Sequence, residues 1–187
     1  VLSTGQTISV ASRSTGVDGA VGDAASGESV SDAVRSPVTD AGVVYFVSSA
    51  NLNPTLDGNA VRDVYRRSDV VTDIVSIGGV PPDGQVHGNA ALVAVSRDES
   101  RAITVRPLTD IDPVDRAFLW DLSGAPFSRT DISGGTIDTV TAAVSGNGLF
   151  AVLSTGTDGI VTGDDNGKRD VLLYSSVTDS FSLLSVA

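Results

Sequence analysis

Cysteine and methionine are both absent from this 187-residue chain, and histidine and lysine occur once each, as His87 and Lys168. Without cysteine there is no disulfide staple and no thiolate nucleophile, and one histidine cannot build a zinc site of the His/Cys kind. A serine-hydrolase triad would have to use His87. That residue lies in the glycine-flanked stretch 84–88, no Gly-x-Ser-x-Gly elbow occurs anywhere, and His87 reads as an exposed loop residue. Aromatics are sparse: one Trp, three Tyr and five Phe supply few platforms for a sugar cleft. No apolar run approaches the roughly 18 residues needed to span a membrane as a helix, so no membrane insertion is expected.

Glutamate is nearly absent as well. Of the 23 acidic residues, only Glu28 and Glu99 are Glu, which leaves 21 Asp. Asp is a turn former, because its short side chain bonds nearby backbone N–H groups, and a chain of short strands and many turns collects it. The formal charge of −11 argues against a nucleic-acid partner, whose phosphates would be repelled. The two paired cations, Arg66-Arg67 and Lys168-Arg169, read as solvated strand ends. At 41% hydrophobic the chain has enough apolar content for one domain with a real core.

What the chain does have is internal repetition. The stretch 38–46 is echoed at 95–103 and again at 144–152, so that Gly42 is matched by Glu99 and Gly148 at steps of 57 and 49 residues. Downstream, Arg62-Asp63-Val64-Tyr65 is echoed by Asp115-Arg116-Ala117-Phe118 and Arg169-Asp170-Val171-Leu172, at steps of 53 and 54. Repeats of roughly 40–50 residues have the length of a four-stranded propeller blade. The apolar runs are short and β-branched, and Gly, Asp, Asn and Ser bound them. They predict strands at 34–38, 43–47, 63–67 and 70–77, then at 90–95, 102–106, 117–122 and 127–132, and finally at 139–144, 149–154, 170–174 and 181–186. The expected core is Val44, Phe46, Val64, Ile103, Phe118, Val152 and Leu172. Tyr45, Phe150 and Phe181 are also expected to be inside. Residues 1–10 align with 121–128 as the last hairpin of an earlier blade.

The expected fold is therefore all-β: three four-stranded antiparallel blades at 33–79, 80–135 and 136–187, preceded by an orphan hairpin at 1–12 and a linker at 13–32. Three blades do not close a ring of the usual 4–8. The expectation is a piece of a longer propeller or one that further copies complete, and the missing initiator Met fits a fragment or a processed chain.

The turn Ser145-Gly146-Asn147-Gly148, followed by an apolar strand and by Asp164-Asp165-Asn166-Gly167-Lys168-Arg169-Asp170-Val171, resembles the TolB-like, WD-type β-propeller repeats of exported bacterial proteins. The stretch Asp57-Gly58-Asn59-Ala60-Val61-Arg62-Asp63-Val64 keeps much of the same pattern. The middle unit departs from it, with Glu99 at the turn glycine and Arg116 at the aspartate. The resemblance implies a propeller and an extracellular, cell-surface or periplasmic location. It implies no common enzyme activity.

The sharpest chemical constellation is Asp-x-Asn-x-x-x-Asp, at Asp57, Asn59 and Asp63 and again at Asp164, Asn166 and Asp170. Ca2+ takes six to eight hard oxygens, and short Asp/Asn loops supply several. No Glu follows at the twelfth position, so the EF-hand pattern fails. The same residues can instead cap a turn, and the middle unit, with Asp110, Asp112 and Arg116, favours a structural network over a metal common to all units. Paired carboxylates such as Asp164-Asp165 raise a glycosidase reading, against which the few aromatics count. Gly146-x-Gly148-x-x-Ala151 matches a dinucleotide fingerprint but precedes a strand rather than the helix that chemistry needs. Trp120, at a third-strand position where polar residues stand in the other units, reads first as packing between blades; it is also the best candidate for an exposed aromatic contact to a ligand.

These readings point first to a non-catalytic propeller scaffold or interaction module of an exported protein, binding a protein partner. A carbohydrate- or peptide-binding part of a secreted hydrolase, with a glycan as ligand, is the second. A subunit that assembles with further copies of itself is the third.

Overall fold

The computed structural model describes residues 38–57, 61–76, 90–107, 115–124, 127–133 and 139–185. The expected orphan hairpin at 1–12, the linker at 13–32, His87, Asn59, Asp110 and Asp112 lie outside the described residues, as does the first expected strand apart from Val38. No helix occurs among the described residues, and hence none long and apolar enough to cross a membrane.

Alternation of apolar and polar side chains, with β-branched residues on the pleat, produces eleven strands in three antiparallel meanders. The first sheet joins β1 (Val44–Ser48), β2 (Asp63–Ser68) and β3 (Val71–Ile74) in that order. The second runs β4 (Ala91–Val95), β5 (Arg101–Pro107), β6 (Asp115–Asp121) and β7 (Ser128–Asp131). The third runs β8 (Thr139–Val144), β9 (Phe150–Thr155), β10 (Asp170–Ser175) and β11 (Ser180–Leu183). Phe46 stands opposite Tyr65, Thr104 opposite Phe118, and Leu172 opposite Leu153; the register shifts between Leu92 and Ala94 of β4 and between Thr139 and Thr141 of β8. The first sheet shows three strands rather than four among the described residues, and a single antiparallel bridge from Val38 to Val44 marks where a fourth would join.

The three sheets stack. Strand β4 packs against β1 and β2, and β8 lies across β4, β5 and β6. The core consequently lies between sheets, and the middle sheet is buried on both faces. Ala102, Phe118 and Trp120 turn toward Tyr45, Val47 and Val64 of the first sheet. Their sequence neighbours Ile103, Ala117 and Leu119 turn toward Ala142, Ala151, Leu153 and Tyr174 of the third. Burying each such large apolar side chain contributes roughly 1.5–3 kcal/mol, and a period of two is what lets one strand serve both interfaces.

Three expectations need correction. Val44 and Val152 are half-buried, because they point away from the sheet-to-sheet interfaces while Val43 and Leu153 point in. Phe150 is 41% exposed on the outer face of the third sheet, which no further sheet covers among the described residues. Trp120 is fully enclosed: its indole N–H donates to Thr104 Oγ1 at 2.8 Å, and the Arg129 guanidinium lies 6.0 Å from its ring. The position is buried in every unit, by Arg67, Trp120 and Tyr174. Trp120 therefore packs between sheets and presents no surface for a ligand.

Candidate functional site

Two features recur from sheet to sheet at equivalent positions: a tight turn, at 39–43, 96–101 and 145–150, and a buried polar knot at the start of β2, β6 and β10.

The turns are built by side chains that close on their own backbone. Ser96 Oγ accepts from Arg101 N–H at 2.9 Å and donates to Asp98, whose carboxylate also accepts from Ser100 N–H at 3.0 Å. Ser145 Oγ accepts from Phe150 N–H at 3.0 Å and donates to Asn147. Thr39 Oγ1 accepts from Val43 N–H at 3.1 Å. Each turn then places one residue in the left-handed region: Gly42 at φ 79°, Glu99 at 59° and Gly148 at 67°. Glu99, the residue that breaks the sequence pattern, keeps the backbone of the repeat.

The turns of the second and third sheets also interlock. Asp98 N–H donates to the Gly146 carbonyl at 3.0 Å, and the α-carbon of Gly148 faces Arg101 and Ser100 so closely that a Cβ there would sit 2.6 Å from each. Beside these turns, Val38, Thr39 and Asp40, Val95, Ser96 and Arg97, and Val144 and Gly146 line a cleft of about 390 Å³. Equivalent residues of all three units thus meet at one place. The cleft presents one carboxylate, Asp40, and one guanidinium, Arg97. The Thr39 and Ser96 hydroxyl oxygens accept from backbone N–H groups of their own turns.

The polar knots involve the Asp/Asn residues singled out in the sequence. In the first sheet Asp63 accepts from the Ser76 hydroxyl, and Ser76 Oγ accepts from Val64 N–H at 3.1 Å. The third sheet repeats this: Asp170 accepts from the Ser185 hydroxyl at 2.6 Å, and Ser185 Oγ accepts from Val171 N–H at 2.9 Å. The aspartate caps the start of the strand through a serine relay rather than by bonding the amides itself. In the middle sheet Arg116 occupies the aspartate position, and the carboxylate comes from the fourth strand instead. Asp131 accepts from the hydroxyl and the N–H of Ser133, the latter at 2.8 Å, and pairs with Arg116 at 3.5 Å. Sequence reasoning missed Ser76, Ser133, Ser185 and Asp131. The usable signal was an apolar-Ser pair at the end of each unit, Val75-Ser76, Ile132-Ser133 and Leu184-Ser185.

Each end sheet adds a second aspartate to its knot, and here the two differ. Asp57, only 3% exposed, accepts from the Tyr65 hydroxyl. That hydroxyl also sits 2.9 Å from the Ala50 carbonyl and accepts from Leu52 N–H at 3.5 Å. Burial first, then the bond to Asp57, pushes the Tyr65 phenol far above its ordinary range. In the third sheet Leu172 stands where Tyr65 stands in the first. Asp164, 1% exposed, has no hydrogen-bond partner on either carboxylate oxygen. Burial, then the adjoining Asp170 carboxyl, then the charges of Asp158 and Asp165, raise its pKa. Asn166 does not turn its oxygen to these carboxylates: its Oδ1 accepts from Lys168 N–H at 2.8 Å, and its Nδ2 donates to Asp170 at 3.4 Å. No three acidic, histidine or cysteine side chains converge on a common point among the described residues.

No protein-family model matches the chain, and no curated protein is similar to it. Among solved structures it is similar to a crystal structure of TolB from Acinetobacter baumannii, at 12% identity and a TM-score of 0.44, over 79% of this chain and 31% of that one. The chain thus spans under a third of that protein's length.

Proposed function

We propose that the chain is a propeller-type scaffold of an exported protein and that it works by binding a protein partner rather than by catalysis. The observation that carries this reading is the convergence of equivalent residues from three stacked sheets on one cleft, at Val38–Asp40, Val95–Arg97 and Val144–Gly146. A radial array of blades brings its innermost strands together in this way. The cleft mixes apolar walls with one charge of each sign, which suits a peptide segment or loop better than a reacting small molecule. The export assignment rests on the likeness of the repeats to those of exported bacterial propellers.

The test is affinity capture from an extracellular protein fraction with the native chain and with a cleft variant, Val38→Asp combined with Arg97→Glu. A partner held by the native chain and lost by the variant, while a distal Thr178→Ala change leaves it bound, supports the reading. Capture unaffected by the cleft variant contradicts it.

A second reading, assembly with further copies, is favoured by one observation: Phe150 on the outer face of the third sheet is 41% exposed, and Leu149 in the turn before it and Leu184 just past β11 are 39% and 49% exposed. Uncovered apolar side chains of this kind mark interaction surfaces. Light scattering after gel filtration separates the two. A monomer supports the first reading, and a discrete dimer or larger closed species supports the second.

A further inference from the structure

We propose that the third sheet carries a site for one hard divalent cation, calcium by its donor chemistry, built on the Asp164 and Asp170 carboxylates, and that the equivalent Asp57/Asp63 position of the first sheet carries none. The two positions are alike in sequence and in fold. Both have a serine relay from the later aspartate to the strand amide, through Ser76 in one and Ser185 in the other. They differ in what meets the earlier aspartate.

Asp57 receives a phenol proton from Tyr65. Asp164 is just as buried, and the position equivalent to Tyr65 holds Leu172, which has no proton to give. Both of its oxygens are sealed from water and lack a donor. A buried ionised carboxylate with no donor is strongly disfavoured, and a second carboxylate against it makes matters worse. Asp170 is such a neighbour, with one oxygen on Ser185 and the other 3.4 Å from the Asn166 amide. A bound cation removes the conflict. Two carboxylates in an Asp/Asn loop offer hard oxygen ligands, which fit calcium rather than a softer metal. Loop carbonyls and water would complete the shell. Because only two carboxylates contribute, the affinity belongs to the weak class of extracellular calcium modules, with Kd of roughly 10⁻⁴–10⁻³ M. This inference stands independently of the partner-binding reading.

The test is calorimetric titration of the full chain with calcium chloride, paired with melting curves in 10 mM calcium against sodium chloride of equal ionic strength. The salt control is needed because a chain of charge −11 is stabilised by any electrolyte. The expected result is one calcium per chain and a rise in Tm of roughly 3–11 °C. Both effects vanish in Asp164→Asn and persist in Asp57→Asn. Absence of binding heat and of any calcium-specific shift up to 10 mM overturns the proposal, as does a shift that survives Asp164→Asn. Should Asp164→Asn fail to fold, the wild-type stoichiometry decides: none or two equivalents is the contradicting result.

Discussion

Replacing Tyr65 with Phe removes one oxygen atom and is predicted to cost much of the first sheet's stability. The hydroxyl is the donor to Asp57, a carboxylate that is 3% exposed, and the acceptor for Leu52 N–H. The ring itself stays packed, stacked on Phe46 at 5.6 Å between centroids, so no cavity larger than the hydroxyl opens. A hydrogen bond to a charged group is worth about 1.5–3 kcal/mol, and leaving the buried partner without its donor sets the upper end. The predicted loss is therefore about 2–3 kcal/mol, or roughly 5–10 °C in Tm for a domain of this size. Equilibrium denaturation in urea, followed by circular dichroism, measures it. The double variant Tyr65→Phe/Asp57→Asn should lose less than the sum of the single changes, because each removes the same bond. A single variant within 0.5 kcal/mol of the native chain would refute the reasoning. It would mean that Asp57 draws its stabilisation from elsewhere, and the contrast with Asp164 would lose its basis.

Other outcomes follow from the same geometry. Gly148→Ala combines a left-handed φ of 67° with a Cβ 2.6 Å from Arg101 Cγ and Ser100 Oγ, whereas Gly42→Ala, at φ 79°, meets nothing within 4 Å. The second should cost about 1 kcal/mol of backbone strain and the first about 2–4 kcal/mol; equal losses would mean that the turns of the second and third sheets do not interlock. Tyr45 and Tyr174 are each pushed up to about 12, in both cases chiefly by burial, and Tyr65 is raised as well. A raised phenol supports the fold fully below the unfolded value near 10, and that support is lost as pH climbs toward 12. Absorbance at alkaline pH should show almost no tyrosinate in the folded chain at pH 10.5, then a cooperative rise as the fold opens. A smooth titration centred on 10 would contradict the burial of all three tyrosines.

Much of the architecture was legible in the sequence because strand and turn signals are local. The expected strand at 139–144 coincides with β8, and most others end within a residue or two of the observed ones. The repeat register was legible for the same reason: a turn that closes on its own Ser and Asp or Asn leaves a readable pattern, and Glu99 shows that the backbone outlasts the glycine. What is set between sheets was not legible. Polar counterparts left Trp120 open to two readings, packing between blades or contact with a ligand, and the stacking of the middle sheet on both neighbours decides for packing. Phe150 is the opposite case: its strand pattern matches a core position, but it lies on the face that no sheet covers among the described residues. The candidate site was half legible. The Asp/Asn spacing located Asp57, Asp63, Asp164 and Asp170. It could not show that Tyr65 donates to Asp57 while Leu172, at the equivalent position, has no proton to give Asp164, because that depends on residues two places beyond the motif.

The central claim is that the sheets stack through their inner turns, and the absence of cysteine makes it directly testable. A Cβ on Gly146 would lie 3.5 Å from the Cβ of Arg97, within the range that a disulfide spans. The double variant Arg97→Cys/Gly146→Cys, mildly oxidised as a monomer, should lose two protons by mass and both free thiols, and should gain up to about 4 kcal/mol from closing a loop of roughly 50 residues. Two thiols that stay titratable after oxidation, or that link only between chains, would contradict the stacking of the second sheet on the third and with it the cleft on which the proposed function rests.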